Sequence, residues 1–309
     1  MKKLLLIDTF NFLHRAYHAL PMTLTDKNGA PTNAVYGVTS MLISTFGQIE
    51  PDYVLIANDD IEPTFRVEEF TAYKAHRKPM EDSLSSQIPK VYEIIDAFGV
   101  ARVSLPGYEA DDIIGTMVEK YKGKDLEIII VSNDRDLWQL VGDNVTVMNP
   151  KARGEVEWIR EKEVNDRFGF GPQKIIEYKA LKGDASDNIP GVYGVGDKTA
   201  TKLILEYGDV EGIYKNIDKV TPESLKKKLE ENYEMALMSK KLATIITDAP
   251  MDLDLNECKY STYNLVKVKE VLERYNFKSL IKRLGFDDAA GGGGKPKKTE
   301  VLENQLSLL

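Results

Sequence analysis

Three runs, "KKLLLID" (2–8), "DYVLIAND" (52–59) and "LEIIIVSND" (126–134), are apolar, rich in β-formers and without polar alternation. A strand that faces water on one side alternates, so an unbroken apolar run of this length marks a strand covered on both faces. Each run also ends in an acidic residue. "ARVSLPG" (101–107) is a weaker fourth strand. Between them lie the helical patterns 33–49, 84–99 and 110–123. Alternating strand and helix predict an α/β layer fold with a mostly parallel central sheet flanked by helices. Ligands collect at the carboxyl ends of such strands, where Asp8, Asp59 and Asp134 fall. From about residue 160 the strand signal fades, and the second half reads as a helical domain with its boundary near 160–175. From Asp287 the character changes again to a Gly-rich linker containing Lys295, Lys297 and Lys298.

Further acids crowd around the same strand ends. "GYEADDIIG" (107–115) puts Glu109, Asp111 and Asp112 just ahead of an apolar helix, "SNDRD" adds Asp136 to Asp134, and "KGDASDN" adds Asp184 and Asp187. Asp134 and Asp136 would alternate along an extended strand end, and Asp184 and Asp187 would share one face of a helical turn. Each motif alone could be a capped turn or an acidic helix start, because acids favour the positive end of a helix dipole. Jointly, so many carboxylates aimed at one sheet edge would repel one another and need cations. An oxygen-only donor set suits Mg²⁺ or Mn²⁺, and the three histidines, His14, His18 and His76, are too scattered for zinc. The net charge of −8 argues at face value against nucleic acid, but loses that force if many acids hold metal. One cysteine, Cys258, excludes an intrachain disulfide and suits a reducing cytosol. No secretory signal opens the chain and no stretch approaches the roughly 18 apolar residues of a membrane span, so a cytoplasmic location is expected.

"LLLIDTFNFLHRAYHALP", "TFRVEEFTAYKAHRKPM", "GYEADDIIGT", "SNDRDLWQLV" and "GDASDNIPGVYGVGDKTA" occur in the order of the motifs of the 5′ nuclease domain of bacterial DNA polymerase I, in the flap endonuclease superfamily, which this chain resembles here as a stand-alone protein. The resemblance runs from about residue 3 to 250 and extends toward 287. It implies a PIN/resolvase-like nuclease domain over 1–170 with a helical arch around 62–90. A helical DNA-binding domain over 171–287 would follow, with a helix-hairpin-helix at 188–205. It implies that Asp8, Asp59, Glu109 and Asp111 hold one metal ion. Asp134, Asp136 and Asp187 would hold a second, with Asp112 and Asp184 close by. Such a pair, about 4 Å apart, would activate water for in-line phosphodiester hydrolysis. Three departures stand out: Thr9 where the family usually has Gly, Asn58 where it has Phe, and Asn133 in place of the Gly of Gly-Asp-Lys-Asp. None removes a carboxylate.

The basic stretch 64–80 reads by itself as a solvated face of an amphipathic helix. The resemblance turns it into part of the arch, with Lys74 and Arg77 at the scissile phosphate, Arg66 and Lys78 beside them on DNA, and Arg15 as a further basic residue near the substrate. "GVYGVGDKTA" (191–200) lacks the Lys-Ser/Thr and the preceding strand of a nucleotide P-loop. As the hairpin of a helix-hairpin-helix, its Gly191, Gly194, Gly196, Lys198 and Thr199 would grip a duplex backbone, and a K⁺ ion is implied there. The chain closes on "QLSLL" (305–309) after the linker 288–304. This resembles the bacterial sliding-clamp-binding motif, with Leu306, Leu308 and Leu309 filling a pocket and Gln305 orienting them. From Ala289 to Asn304 a random coil would span on the order of 20–25 Å. The expectation is a monomeric, nucleoid-associated 5′ flap endonuclease and 5′–3′ exonuclease for Okazaki-fragment maturation and repair, acting on DNA with 5′ flaps or 5′ ends. Its rivals are a non-catalytic branched-DNA-binding module recruited to the clamp, and a ribonuclease removing RNA primers.

Overall fold

A computed structural model describes residues 1–151, 154–260 and 264–286. The linker and the clamp-like peptide Gln305–Leu309 lie outside the described residues. A six-stranded sheet has the order β3-β2-β1-β4-β5-β6. Its strands are β1 Lys2–Asp8, β2 Tyr53–Ala57, β3 Ala101–Val103, β4 Leu126–Val131, β5 Val145–Pro150 and β6 Val156–Ile159. The first five run parallel, and β6 pairs antiparallel with β5. The expected α/β class with a mostly parallel sheet is what the structure contains. β5 and β6 extend it beyond the four strands read from the sequence.

The apolar strand runs divide between two cores. Leu4, Leu6, Leu55, Ile128 and Ile130 face one side, and Leu5, Ile7, Val54, Ile56, Ile129 and Val131 face the other. That split is the period-two geometry of a strand covered on both faces. Helices α1 (Thr9–Ala19), α2 (Asn33–Ile49) and α5 (Ile88–Ala97) cover the second side, with two short helices, α3 (Phe65–Glu69) and α4 (Asp82–Ser85), preceding α5. Helix α6 (Ala110–Tyr121) covers the first. The helical region holds α7 (Glu161–Phe168), α8 (Ile175–Lys182), α9 (Asp197–Tyr207), α10 (Val210–Lys215), α11 (Glu223–Glu231) and α12 (Tyr233–Ala243). Its buried Ile175, Tyr178, Leu203 and Ile204 continue the α6-side core without a gap. The last helices, α13 (Leu265–Arg274) and α14 (Lys278–Arg283), return to the opposite face, where Val268, Leu272 and Leu280 join the core of α1, α2 and α5. The segment expected to close the helical domain at 287 thus packs on helices α2 and α5 of the nuclease region. No helix among the described residues is long and apolar enough to cross a membrane.

The arch expected around 62–90 is helical only at its two ends. α3 stops at Glu69, and residues 70–77 form successive tight turns, with Tyr73 N–H donating to Phe70 O, Ala75 to Ala72 and Arg77 to Lys74. Lys74 adopts the left-handed region at φ 53°, which ends any helix, and its N–H is taken by Asp187 O at 2.9 Å. Tyr73, Val67 and Phe70 pack there against Ile189 and Leu242.

Candidate metal and DNA site

Asp8 is the last residue of β1, Asp59 follows β2 and Asp134 follows β4, so the three middle strands β2-β1-β4 deliver one acid each to the same sheet edge. The chain runs from β1 to β2 and β3 on one side and then crosses back from β3 to β4 on the other side of β1, which makes this edge the switch point where open parallel sheets bind ligands. Asp8 caps α1 by accepting Asn11 N–H at 3.1 Å. Asp59 accepts Ala110 N–H at 2.8 Å, which draws it to the start of α6 beside Glu109 and Asp111. Glu109 is the N-cap of α6 in a reciprocal capping box with Asp112.

Electrostatics shows which acids act on one another. Burial, then Asp59 and Asp134, push the Asp8 carboxyl up to about 7. Burial, then Asp134, Asp8, Asp136 and Glu109, push Asp111 well above the usual carboxylate range. Asp136 rises to about 6 through burial and Asp134, against the pull of Lys179. Crowded carboxylates of this kind are the chemistry a hard divalent cation relieves. Among the described residues, no group of three or more His, Cys, Asp or Glu side chains is already gathered around one point.

Resident cations help explain why. Lys74 Nζ lies 2.9 Å from Glu109 and 3.9 Å from Asp187, and Arg77 lies 2.6 Å from Asp187. Tyr73 OH donates to the same two acids at 3.2 and 3.3 Å. Buried Lys179 pairs with Asp136 and, at 2.5 Å, with Asp184. Burial would raise the Asp184 carboxyl, but Lys179 and the Ser186 hydrogen bonds hold it below its ordinary value. Lys179 and Tyr73 escaped the sequence reading. Tyr73 lies in the 64–80 stretch, whose basic residues carry the signal there, and Lys179 reaches Asp136 across 43 residues.

Several residues expected at this site have other work. Asp112 is fully buried, and both its oxygens grip Arg66, at 2.7 and 2.8 Å. Asp112 also accepts N–H bonds from Glu109 and Ile246. Consecutive helix residues point about 100° apart, so Asp112 cannot share the outward face of Asp111. Arg66 is 3% exposed and further donates to the Leu242 and Thr244 carbonyls, so it is a core ion pair and not a DNA contact. Arg15 donates to Pro150 O at the end of β5, and no hydrogen bond or ion pair among the described residues joins it to the acids. Asp136 opens a 3₁₀ turn, Asp136–Leu140, instead of lying on an extended strand end. Asp184 and Asp187 belong to a hairpin-like turn closed by Asp184 and Ile189, not to a helical face.

In the segment between α8 and α9, Gly191 is buried and its N–H donates to Ser239 Oγ. At φ 65° a Cβ there would stand 2.2 Å from Gly183 N, so this glycine serves a close backbone crossing and offers no N–H to a phosphate. Gly194, Gly196 and Lys198 are exposed, and Thr199 is half-buried, around the start of α9. Lys198 lines a shallow groove of about 630 Å³ with the basic Arg167 and Lys202, the acidic Asp197 and Glu206, and Phe168, Thr201 and Leu205. Asp197, in the first turn of α9, is held by Lys182 at 2.8 Å and by Tyr178 OH. Lys78 is exposed beside Arg77.

Residues 3–169 match the family model of the 5′-3′ exonuclease N-terminal resolvase-like domain, and residues 170–265 that of the 5′-3′ exonuclease C-terminal SAM fold. DNA polymerase I of Caldicellulosiruptor bescii is 43% identical over 302 residues, 97% of this chain and 35% of that protein. DNA polymerase I of Bacillus subtilis is 42% identical over 289 residues, 93% of this chain and 33% of that protein. The chain thus spans about a third of the length of these curated relatives. Among solved structures, the phage T5 D15 flap endonuclease in a complex with DNA and metal ions has a TM-score of 0.67 at 20% identity, covering 89% of this chain and 100% of that one. The catalytic core of Rad2 in complex with DNA substrate has a TM-score of 0.61 at 15% identity, covering 91% and 92%.

Proposed function

Because the chain belongs to the 5′-3′ exonuclease family, we propose that it is a structure-selective 5′ flap endonuclease and 5′–3′ exonuclease that works on DNA during Okazaki-fragment maturation and repair. The observation that carries this reading is the delivery of Asp8, Asp59 and Asp134 to one edge by three adjacent parallel strands, where burial and neighbouring acids raise the Asp8, Asp111 and Asp136 carboxyls. Asp8, Asp59, Glu109 and Asp111 are the residues that would hold one divalent cation, and Asp134, Asp136 and Asp187, with Asp184, a second. Mg²⁺ or Mn²⁺ held there would supply an activated water and charge stabilisation for phosphodiester hydrolysis to a 5′ phosphate and a 3′ hydroxyl.

The remaining chemistry belongs to the chain itself. Lys74 and Arg77, which neutralise Glu109 and Asp187 in this structure, sit where a scissile phosphate approaching those acids would meet them. Their positive charge would stabilise the charge that develops on that phosphate. Lys198, Lys202 and Arg167 along their groove, with Gly194, Gly196 and Thr199, would follow a duplex backbone. Contacts to phosphates alone select structure rather than sequence and weaken with salt. A K⁺ ion at the hairpin, a monomeric state, a nucleoid location and clamp recruitment through Gln305, Leu306, Leu308 and Leu309 complete the reading. Such a tether would raise the local concentration at DNA without adding a contact in the site.

The test is cleavage of a labelled 5′-flap duplex in Mg²⁺, beside EDTA and an Asp134→Ala variant. Metal-dependent cutting near the junction, lost in the variant, is expected. Tight flap binding with no cutting in Mg²⁺ or Mn²⁺ would leave a branched-DNA-binding module instead, and faster cutting of an RNA flap would favour primer removal.

A further inference from the structure

Asn11 and Asn133 face each other across the gap between α1 and the loop that leaves β4. Asn133 N–H donates to Asn11 Oδ1 at 3.2 Å, and Asn11 Nδ2 donates in return to Asn133 Oδ1. Asn11 also donates its backbone N–H to Asp8 Oδ1, so one residue touches the Asp8 carboxylate and the segment that carries Asp134. The loop is otherwise braced internally: Asp134 N–H donates to Ser132 Oγ and Asp136 N–H to Asp134 Oδ1. Among the described residues, the two asparagines make the only hydrogen bonds that tie 133–134 to another element. Asp8 and Asp134 repel each other across that gap.

We propose that Asn11 and Asn133 form a positioning clasp that fixes the separation of Asp8 and Asp134 and thereby sets the affinity of the site for divalent cations. The inference rests on the reading of these acids as metal ligands. The clasp supplies the lateral restraint that like charges lack, so the ion spends less of its binding energy on drawing the loop inward. It also gives Asn133 a physical role. A glycine at that position would keep the N–H bond to Asn11 Oδ1 but could not receive the bond from Asn11 Nδ2.

That difference grades the test. Mn²⁺ alone, without DNA, is titrated calorimetrically into the full chain and three variants. Asn11→Ala removes both bonds and should weaken Mn²⁺ binding by about tenfold, the lower end of the effect of losing a hydrogen-bonded support behind a metal ligand. Asn133→Gly removes one bond and should cost severalfold, and Asn11→Ala/Asn133→Gly should be no weaker than Asn11→Ala. Melting temperatures in EDTA should agree across the set, because a merely structural role would lower them and spare the Mn²⁺ affinity. Equal Mn²⁺ affinities in all four proteins, or strictly additive losses in the double variant, would overturn the clasp. A parent chain that binds no Mn²⁺ would overturn the metal reading as well, which separates the two failures.

Discussion

Replacing Arg66 with Met separates a core role from a DNA role. The side chain is 3% exposed and donates to both Asp112 oxygens and to the Leu242 and Thr244 carbonyls. Burial disfavours its charge, but Asp112 and Glu109 raise its affinity for the proton, so it stays ionised. Methionine fills much of the stem but leaves Asp112 as an unpaired charge in a site with no exposure. Breaking one side of a buried ion pair costs about 3–5 kcal/mol. Two orphaned carbonyls add about 1 kcal/mol each. The sum of about 5–7 kcal/mol is a large share of the roughly 5–15 kcal/mol by which domains are stable. Urea unfolding in EDTA should therefore show the Arg66→Met midpoint collapsing, with Arg66→Met/Asp112→Leu recovering part of the loss. A loss below about 1 kcal/mol, combined with weaker flap binding and a salt slope reduced by about one, would refute the reasoning and return Arg66 to the phosphate backbone.

Three further outcomes are expected. Asp8 and Asp136 titrate near 7 and 6 in the folded chain, against about 3.9 when unfolded, so the metal-free folded state holds more protons between those values. Its stability must therefore fall as pH rises through that window; thermal melting in EDTA should be lower at pH 8 than at pH 5, Asp8→Asn should flatten the slope, and a rise toward pH 8 would contradict the crowding. Lys74→Ala and Arg77→Ala should each slow single-turnover flap cleavage about 100-fold, and Arg77→Ala, at a half-exposed side chain, should change stability by less than about 1 kcal/mol; unchanged cleavage would remove both from the chemistry. Deleting residues 305–309 should leave cutting of free flaps intact and abolish binding to a bacterial sliding clamp, measured by surface plasmon resonance; undiminished clamp binding would reject the peptide's assignment.

What the sequence disclosed follows from the kind of signal each element carries. β1, β2 and β4 are central strands, so their apolar runs are unbroken and their ends are sharp. β6 is the antiparallel edge strand "VEWI", with one fully buried residue, and gives no such run. The acids at the strand ends were legible because position along a buried strand fixes where its last residue emerges. Direction was not: Asp111 and Asp112 are neighbours in sequence, yet α6 turns one outward to the acids and the other inward to Arg66. Gly191 and Gly194 look equivalent in the "GVYG" hairpin, but only the first is pressed against another backbone.

The same distinction divides the acids by what balances them. Arg66 holds Asp112 permanently, because both are buried among carbonyls and amides they satisfy. Lys74 and Arg77 hold Glu109 and Asp187 from a segment of turns, and the Arg77 side chain is 53% exposed, so their pairing is a contact that metal and phosphate can compete for. Lys179 lies between these cases, buried yet bound to Asp136 and Asp184 at the rim. Asp8, Asp59, Asp111 and Asp134 have no basic partner among the described residues, and two of them are the most strongly raised carboxyls of the group. On the proposed metal reading, a divalent ion would meet no competing side-chain cation at these four acids. At Glu109, Asp187, Asp136 or Asp184 it would have to compete with the Lys74–Arg77 segment or with Lys179, and an arriving phosphodiester would offer those cations another anion to pair with.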